Sequence, residues 1–298
     1  MVKLGEVYRK LTNDDFIILE FFVKNLKKFE YIPIDFIVQK LTKYTPKEID
    51  ARLRKLNSIK VIERHPTMNA YRLKALGLDC VALRRLVRKG ILKAIGDIIG
   101  VGKESDIYRA LTDNDELVVV KFYRIGRTSF RHAVKVRSYG VEFERGTWLV
   151  RSIIAGKRER EALAILNKYN VPSVPRLHGG ALHAVVMEYV EGPELYEVRE
   201  LQRPLEVLNN IIEAIRASYW RAKLVHGDLS EYNILIDLSR GEERPFIIDW
   251  PQYVTSVEPN AQKLLERDVQ YIIKFFNKRF DLRIDVNEVL KYVLTPME

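Results

Sequence analysis

The string Leu224-Val225-His226-Gly227-Asp228-Leu229-Ser230-Glu231-Tyr232-Asn233-Ile234-Leu235-Ile236 holds a histidine, an aspartate and an asparagine in the spacing His-x-Asp-x-x-x-x-Asn. This spacing lets Asp228 approach an attacking hydroxyl or water at one end of a loop, while Asn233 at the other end offers its side-chain oxygen to a magnesium ion. After a turn at Ser239-Arg240-Gly241, Pro245-Phe246-Ile247-Ile248-Asp249 reads as a second strand ending in a carboxylate. Such a carboxylate suits the bridging of magnesium to the β- and γ-phosphates of a nucleotide. Asp228 is the expected catalytic group, and Asn233 and Asp249 are the expected metal ligands.

Upstream, Ala94 to Ile99 leads into Gly100-Val101-Gly102-Lys103-Glu104-Ser105-Asp106-Ile107-Tyr108, a strand, a glycine turn and a returning strand. Two glycines let the backbone approach a phosphate chain closely. Lys103 and Glu104 fall in the turn, and Ser105 stands where the eukaryotic kinase loop has a third glycine, able to donate to a phosphate oxygen. Ile107 matches the β-branched residue that covers the base. Taken alone the loop is also an ordinary hairpin turn. The strand Leu117-Val118-Val119-Val120-Lys121-Phe122 then puts an ammonium inside an apolar run, and a buried ammonium needs an anion. Kinases supply two, the α/β-phosphates of ATP and a glutamate on the next helix. Residues 157–166 read as that helix, with Glu159 as partner; Glu161, two positions on, faces another side. Ala184-Val185-Val186-Met187-Glu188-Tyr189-Val190-Glu191-Gly192 stands where a kinase has its hinge, so Met187 and the backbone of Glu188 and Val190 are expected to meet adenine.

The 298 residues are 47% apolar and 30% charged, a globular balance that argues against disorder or fibre. The lone Cys80 forms no internal disulfide, and His65, His132, His178, His183 and His226 lack partners at metal-ligand spacing, so no structural zinc is expected. No apolar run reaches the roughly 18–20 residues of a membrane span, and Met1 to Glu6 lacks a secretory core; a soluble, cytoplasmic protein is expected. Net charge is +10, and residues 1–90 carry 20 Lys and Arg against 10 Asp and Glu, so the whole excess lies there. A basic segment on a neutral body suits contact with a polyanion, most often nucleic acid.

That segment reads as three helices and a hairpin. Thr12-Asn13-Asp14 caps a run from Phe16 through Leu26, Pro33 opens a shorter helix with Ile34, Phe36, Ile37, Val38 and Leu41 inward, and Thr45-Pro46-Lys47-Glu48 starts a third. Lys47, Arg52, Arg54 and Lys55 face outward on the third helix; Ile49, Leu53 and Leu56 face inward. Residues 61–64 and 70–73 alternate as a hairpin would. The pattern resembles a winged helix, whose third helix can present basic residues to a phosphate backbone, though such modules also serve to dock proteins. Residues 78–93 read as a linker helix with Leu83, Leu86 and Val87 on one face, stopped by Gly90. The expected division is a winged helix at 1–77, this linker at 78–93, a first lobe at 94–190 and a second at 191–298. Residues 124–158, rich in Arg and Lys with Phe130, Tyr139, Phe143 and Trp148 interleaved, read as a basic insertion able to stack on RNA or, equally, as an ordinary ordered helix covering the first lobe.

Asp249 is followed by Trp250-Pro251-Gln252 where a regulated kinase has Phe and Gly, and proline restricts any flip of the aspartate. No Ala-Pro-Glu string follows. Taken together, the glycine loop at 100–108, His226-Gly227-Asp228 through Asn233, Ile248-Asp249-Trp250-Pro251-Gln252 and the preceding winged helix are similar to the Rio family of atypical kinases, the Rio-two subfamily and its archaeal members in particular. The resemblance implies an α+β bilobal kinase fold with a reduced second lobe behind a winged helix. It implies ATP with Mg2+ (or Mn2+), serine/threonine kinase or ATPase activity, and work on a small ribosomal subunit precursor and its rRNA through the winged helix and the basic insertion. Two other readings remain open: a small-molecule phosphotransferase of the aminoglycoside or choline kinase type, and a nucleic-acid-binding regulator with an inactive lobe.

Overall fold

The computed structural model describes residues 4–126, 147–239 and 241–297. The chain divides into two compact units, Met1–Gly156 with Gly179–Val186, and Lys157–His178 with Met187–Glu298.

The first unit opens with α1 (Leu4–Arg9) and α2 (Asn13–Asn25). The Asp15 amide donates to Thr12 Oγ1 (3.3 Å) and the Thr12 amide to Asp15 Oδ2 (2.8 Å), a reciprocal cap that satisfies donors a helix start leaves over. β1 (Ile32–Pro33) leads to α3 (Ile34–Lys40), and α4 (Pro46–Ser58) starts with the same device built from Thr45 and Glu48. β2 (Ile62–Arg64) and β3 (Ala70–Leu73) pair antiparallel, with β1 on the far side of β3. This is a winged helix, with Ile49, Leu53 and Leu56 of α4 buried. On α3 only Ile37 is fully buried, because two turns of helix offer the core one narrow stripe.

α5 (Ala75–Arg88) begins before residue 78 and is a core element more than a linker: Leu78, Val81, Ala82, Leu83 and Leu86 are all buried. Val87, expected inward, is 41% exposed. One residue beyond Leu86 turns the side chain about 100° away from the buried stripe. Gly90 follows with φ +65°, the left-handed stop that glycine tolerates best. The basic face expected on α4 is largely answered from within the domain. Arg52 pairs with Asp14 (2.9 Å) and Asp15 (3.3 Å), Lys55 with Asp15, and Arg54 with Asp50.

β4 (Ala94–Val101), β5 (Ser105–Leu111), β6 (Leu117–Tyr123), β7 (Leu177–Ala181) and β8 (Ala184–Glu188) form one sheet in the order β4-β5-β6-β8-β7. Its apolar face continues the core of the winged helix: Leu83, Leu86 and Leu92 belong to the same buried cluster as Val118, Val120, Phe122 and Val186. Across this junction runs a buried ion network. Arg124 makes a forked contact to Asp79 of α5 (2.8 and 2.7 Å) and reaches Asp106 of β5 (2.9 Å), while His183 Nε2 lies 2.7 Å from Asp79. Arg124, counted with the basic insertion in the sequence, has a side chain only 5% exposed. Residues 127–146 of that insertion lie outside the described residues. At its far end Lys157 pairs with Glu161 (3.4 Å).

Burial pushes the Asp79 carboxyl up, but Arg124 and His183 outweigh it and hold the group below the ordinary aspartate range. A depressed carboxyl stabilises the fold at pH values above its unfolded pKa of about 3.9, and that contribution is lost as pH falls through the lower folded value. Urea unfolding followed across acidic pH is therefore expected to show Asp79→Asn less stable than the parent at neutral pH, with the gap closing toward the acid end.

The second unit holds the rest of α6 (Trp148–Lys168), which begins in the first unit, and then α7 (Pro204–Trp220), α8 (Ala261–Phe280) and α9 (Val286–Leu294). Leu265, Val269, Ile272, Ile273 and Phe276 give α8 a buried stripe at helical spacing. Two short antiparallel pairs complete the unit: β9 (Leu224–Val225) with β12 (Val254–Thr255), and β10 (Ile234–Asp237) with β11 (Arg244–Ile247). Gly192 is required beside β10, since a Cβ there would overlap the Ile236 carbonyl oxygen. Among the described residues no helix is long and apolar enough to cross a membrane.

Candidate active site

The β10–β11 hairpin carries the motif residues at its open end. Its register pairs Ile234 with Ile247, and one step further the Ile248 amide donates to the Asn233 carbonyl (2.9 Å), so Asn233 stands opposite Ile248 and Asp249 is the next residue along that strand. Asn233 Nδ2 donates to the Asp228 carbonyl (2.7 Å). With its nitrogen committed, the amide has its oxygen to offer a cation. Asp249 adopts φ +67°, a left-handed backbone uncommon for a residue with a Cβ and typical of functional sites when the surroundings enforce it.

Those surroundings are visible. Trp250 is 1% exposed, donates from its indole to the Ile247 carbonyl (3.1 Å) and packs its ring 4.6 Å from that of His226. His226 lies between two backbone groups, Nδ1 accepting from the Asp228 amide (3.3 Å) and Nε2 donating to the Ile248 carbonyl (3.0 Å). This neutral tautomer ties the aspartate of the loop to the strand that ends in Asp249. Gly227 has φ +79°, and a Cβ there would meet the Gln252 carbonyl oxygen at 3.0 Å, so the turn between histidine and aspartate needs glycine.

Several supporting residues escape a reading of the sequence. Asp268 of α8, 2% exposed, accepts the amides of Gly227 (2.8 Å) and Leu229 (3.3 Å), holding the loop on both sides of Asp228. Burial pushes its carboxyl up, against the pull of the Gly227 amide and Arg267. An aspartate within the apolar stripe Leu265-x-x-Asp268-Val269-x-x-Ile272 is the available signal. Arg158 donates to the carbonyls of Pro251 (2.7 Å) and Tyr253, and Gln252 Nε2 to Asp228 Oδ2 (2.8 Å). Glu159 is 1% exposed and accepts the Trp250 amide (3.4 Å), whereas Glu161 is exposed.

The oxygen donors fit magnesium. Asp249 and the Asn233 amide oxygen are hard ligands, and among the described residues no three metal-ligating side chains of His, Cys, Asp or Glu gather. A magnesium ion held by one or two protein oxygens takes its remaining ligands from phosphates and water. Nearby negative charge is already in excess: burial, then the charges of Glu197 and Asp249, push the Glu194 carboxyl above the ordinary glutamate range.

In the first unit, Gly100 and Val101 pair with Ile107 and Asp106, and the Gly102 amide donates to the Ser105 carbonyl (2.8 Å), closing a tight hairpin that carries Lys103 and Glu104. Lys121 pairs with Ile107 across β5 and β6, is 7% exposed and lies 4.8 Å from the Tyr123 ring. The second unit takes up the chain at Met187, which is buried near the end of β8. The Glu188 amide is already given to the Arg176 carbonyl (2.9 Å), so residue 188 has its carbonyl, not its amide, for an adenine. Val190 follows two residues later in the same unit.

A RIO domain model matches residues 106–289, and a model of the Rio2 N-terminal region matches residues 8–89. The chain is 36% identical over 252 residues to the RIO-type serine/threonine-protein kinase Rio2 of Methanocaldococcus jannaschii, covering 81% of this chain and 90% of that one. It is 32% identical over 222 residues to the Schizosaccharomyces pombe serine/threonine-protein kinase rio2, covering 74% of this chain and 63% of that longer one. A Chaetomium thermophilum Rio2 kinase, solved as an ADP/Mg2+-phosphoaspartate complex, superposes with a TM-score of 0.79 at 28% identity, covering 96% of this chain and 88% of that one. The winged helix, the histidine–aspartate loop and the hairpin ending in Asp249 therefore stand in a known order, and the chain belongs to the Rio2 family of RIO-domain kinases.

Proposed function

We propose that this chain transfers the γ-phosphoryl group of ATP to a serine or threonine hydroxyl or to water. The acceptor oxygen attacks the γ-phosphorus, the bond to the β-phosphate oxygen breaks, ADP leaves and the acceptor's proton passes to Asp228. Asn233 and Asp249 hold Mg2+, which offsets charge on the β- and γ-phosphates; Mn2+ suits the same oxygens. Lys121 binds the α/β-phosphates with Glu159 as its counter-ion. The loop of Gly100, Gly102, Lys103, Glu104 and Ser105 covers the phosphates, and Ile107, Met187 and the backbone of Glu188 and Val190 receive the base. The observation that carries this reading is the hairpin end where Asn233 spends its nitrogen on the Asp228 backbone beside Asp249. Magnesium-dependent turnover of radiolabelled ATP tests it. Transfer to aminoglycosides or choline in preference to protein or water would favour the small-molecule reading.

Asp249 is also suited to act as the acceptor. Its carboxylate oxygen would displace ADP from the γ-phosphorus, and water would later cleave the acyl phosphate. The relative solved with a phosphoaspartate supports this. Denatured protein taken from a turnover mixture is expected to carry acid-stable, hydroxylamine-sensitive label that Asp249→Asn lacks.

The partner is proposed to be a small ribosomal subunit precursor, in the cytoplasm, engaged through phosphate contacts. The charge excess of residues 1–90 supports it, and Lys24, Lys27 and Lys28 at the end of α2 are exposed. Removing one lysine from a phosphate reduces the slope of log affinity against log salt by about 0.7–0.9. Reversing the three lysines to glutamate is expected to weaken rRNA binding uniformly across sequences and flatten that slope, with ATP turnover unchanged.

A further inference from the structure

Gln252 stands three residues beyond Asp249, and its amide nitrogen donates to Asp228 Oδ2 at 2.8 Å. The backbone on either side is fixed. Arg158 takes the carbonyls of Pro251 and Tyr253 with one guanidinium and lays that guanidinium 4.5 Å from the Tyr253 ring. Pro251 has a restricted φ, and Trp250 just before it is buried. The Gln252 carbonyl sits against Gly227, where a Cβ would come within 3.0 Å. With the carbonyls on both sides held, the Gln252 side chain starts toward Asp228 from a fixed backbone position. The aspartate itself is exposed.

Resting on the role proposed above for Asp228, we infer that Gln252 is a positioning residue for that aspartate: its amide occupies Oδ2 and turns Oδ1 toward the acceptor. A carboxamide suits the task because its nitrogen donates at every working pH and brings no charge to a site already rich in carboxylates. General-base catalysis depends on holding the base within hydrogen-bond reach of the proton it takes. The effect therefore belongs to the chemical step and not to nucleotide binding.

The test is a double-mutant cycle on Asp228→Ala and Gln252→Ala, read by kcat and KM for ATP in magnesium, with Gln252→Glu as an isosteric variant that cannot donate. Gln252→Ala and Gln252→Glu are each expected to lower kcat about 10-fold or more with KM for ATP unchanged, the size expected when one hydrogen bond to a charged group is removed. In the Asp228→Ala background, Gln252→Ala is expected to change kcat no further. Equal losses in both backgrounds, a rise in KM that accounts for the whole loss, or an unchanged kcat in the parent background would overturn the inference. Full activity of Asp228→Ala alone would instead sink the role given to Asp228.

Discussion

Asp228→Ala is expected to lower phosphoryl transfer by about 10²- to 10⁴-fold, the range that a positioned general base contributes, while ATP still binds. The two effects separate because of where the residue stands. Asp228 is an exposed side chain, so its removal leaves no cavity in the core. The loop around it is held by other groups, Asp268 on the Gly227 and Leu229 amides and Asn233 on the Asp228 carbonyl, and these contacts run to the backbone that alanine retains. Rapid-quench measurement of transfer alongside equilibrium binding of a fluorescent ATP analogue checks both halves. Loss of binding together with rate would show that Asp228 supports the nucleotide and not the acceptor.

Arg124→Ala carries the largest expected cost in stability. The guanidinium neutralises two aspartates, and the Arg124, Asp79 and Asp106 side chains are 5%, 5% and 8% exposed. Breaking a buried pair by removing one partner typically costs about 3–5 kcal/mol, because the surviving charge is left without water or counter-ion. Here two carboxylates lose the same cation at once, and His183 stays beside Asp79. Chemical denaturation is expected to show a large fall in midpoint for Arg124→Ala. Arg124→Met paired with Asp79→Leu and Asp106→Leu should recover most of it if desolvation is the cause.

The sequence reveals what chemistry demands at fixed spacing and hides what tertiary contact supplies. The histidine, aspartate and asparagine of the loop must follow one another closely, and the helix caps at Thr12 and Thr45 are local by construction, so each can be read directly. Glu159 and Glu161 are separable because helical geometry turns them to different sides, and burial divides them accordingly. Asp268, Arg158 and Gln252 reach their partners across 41, 93 and 24 residues, a distance that no periodicity encodes. Arg124 misleads for a related reason. A count of basic residues does not distinguish a cation in solvent from one enclosed by carboxylates, although its place just after an apolar strand is a hint.

Because α5 contributes to the same apolar cluster as the strands of the first sheet, the winged helix and that sheet share an interior. Cutting the polypeptide at residue 90 would strip Leu83 and Leu86 from Val118, Phe122 and Val186 and remove Asp79 from Arg124. The remainder would be left with an uncovered greasy surface and a buried cation that keeps Asp106 but loses Asp79. A shortened version could therefore lose precursor affinity through collapse alone. Point reversals of exposed lysines probe docking without that ambiguity, and heating is expected to melt module and sheet in a single cooperative step.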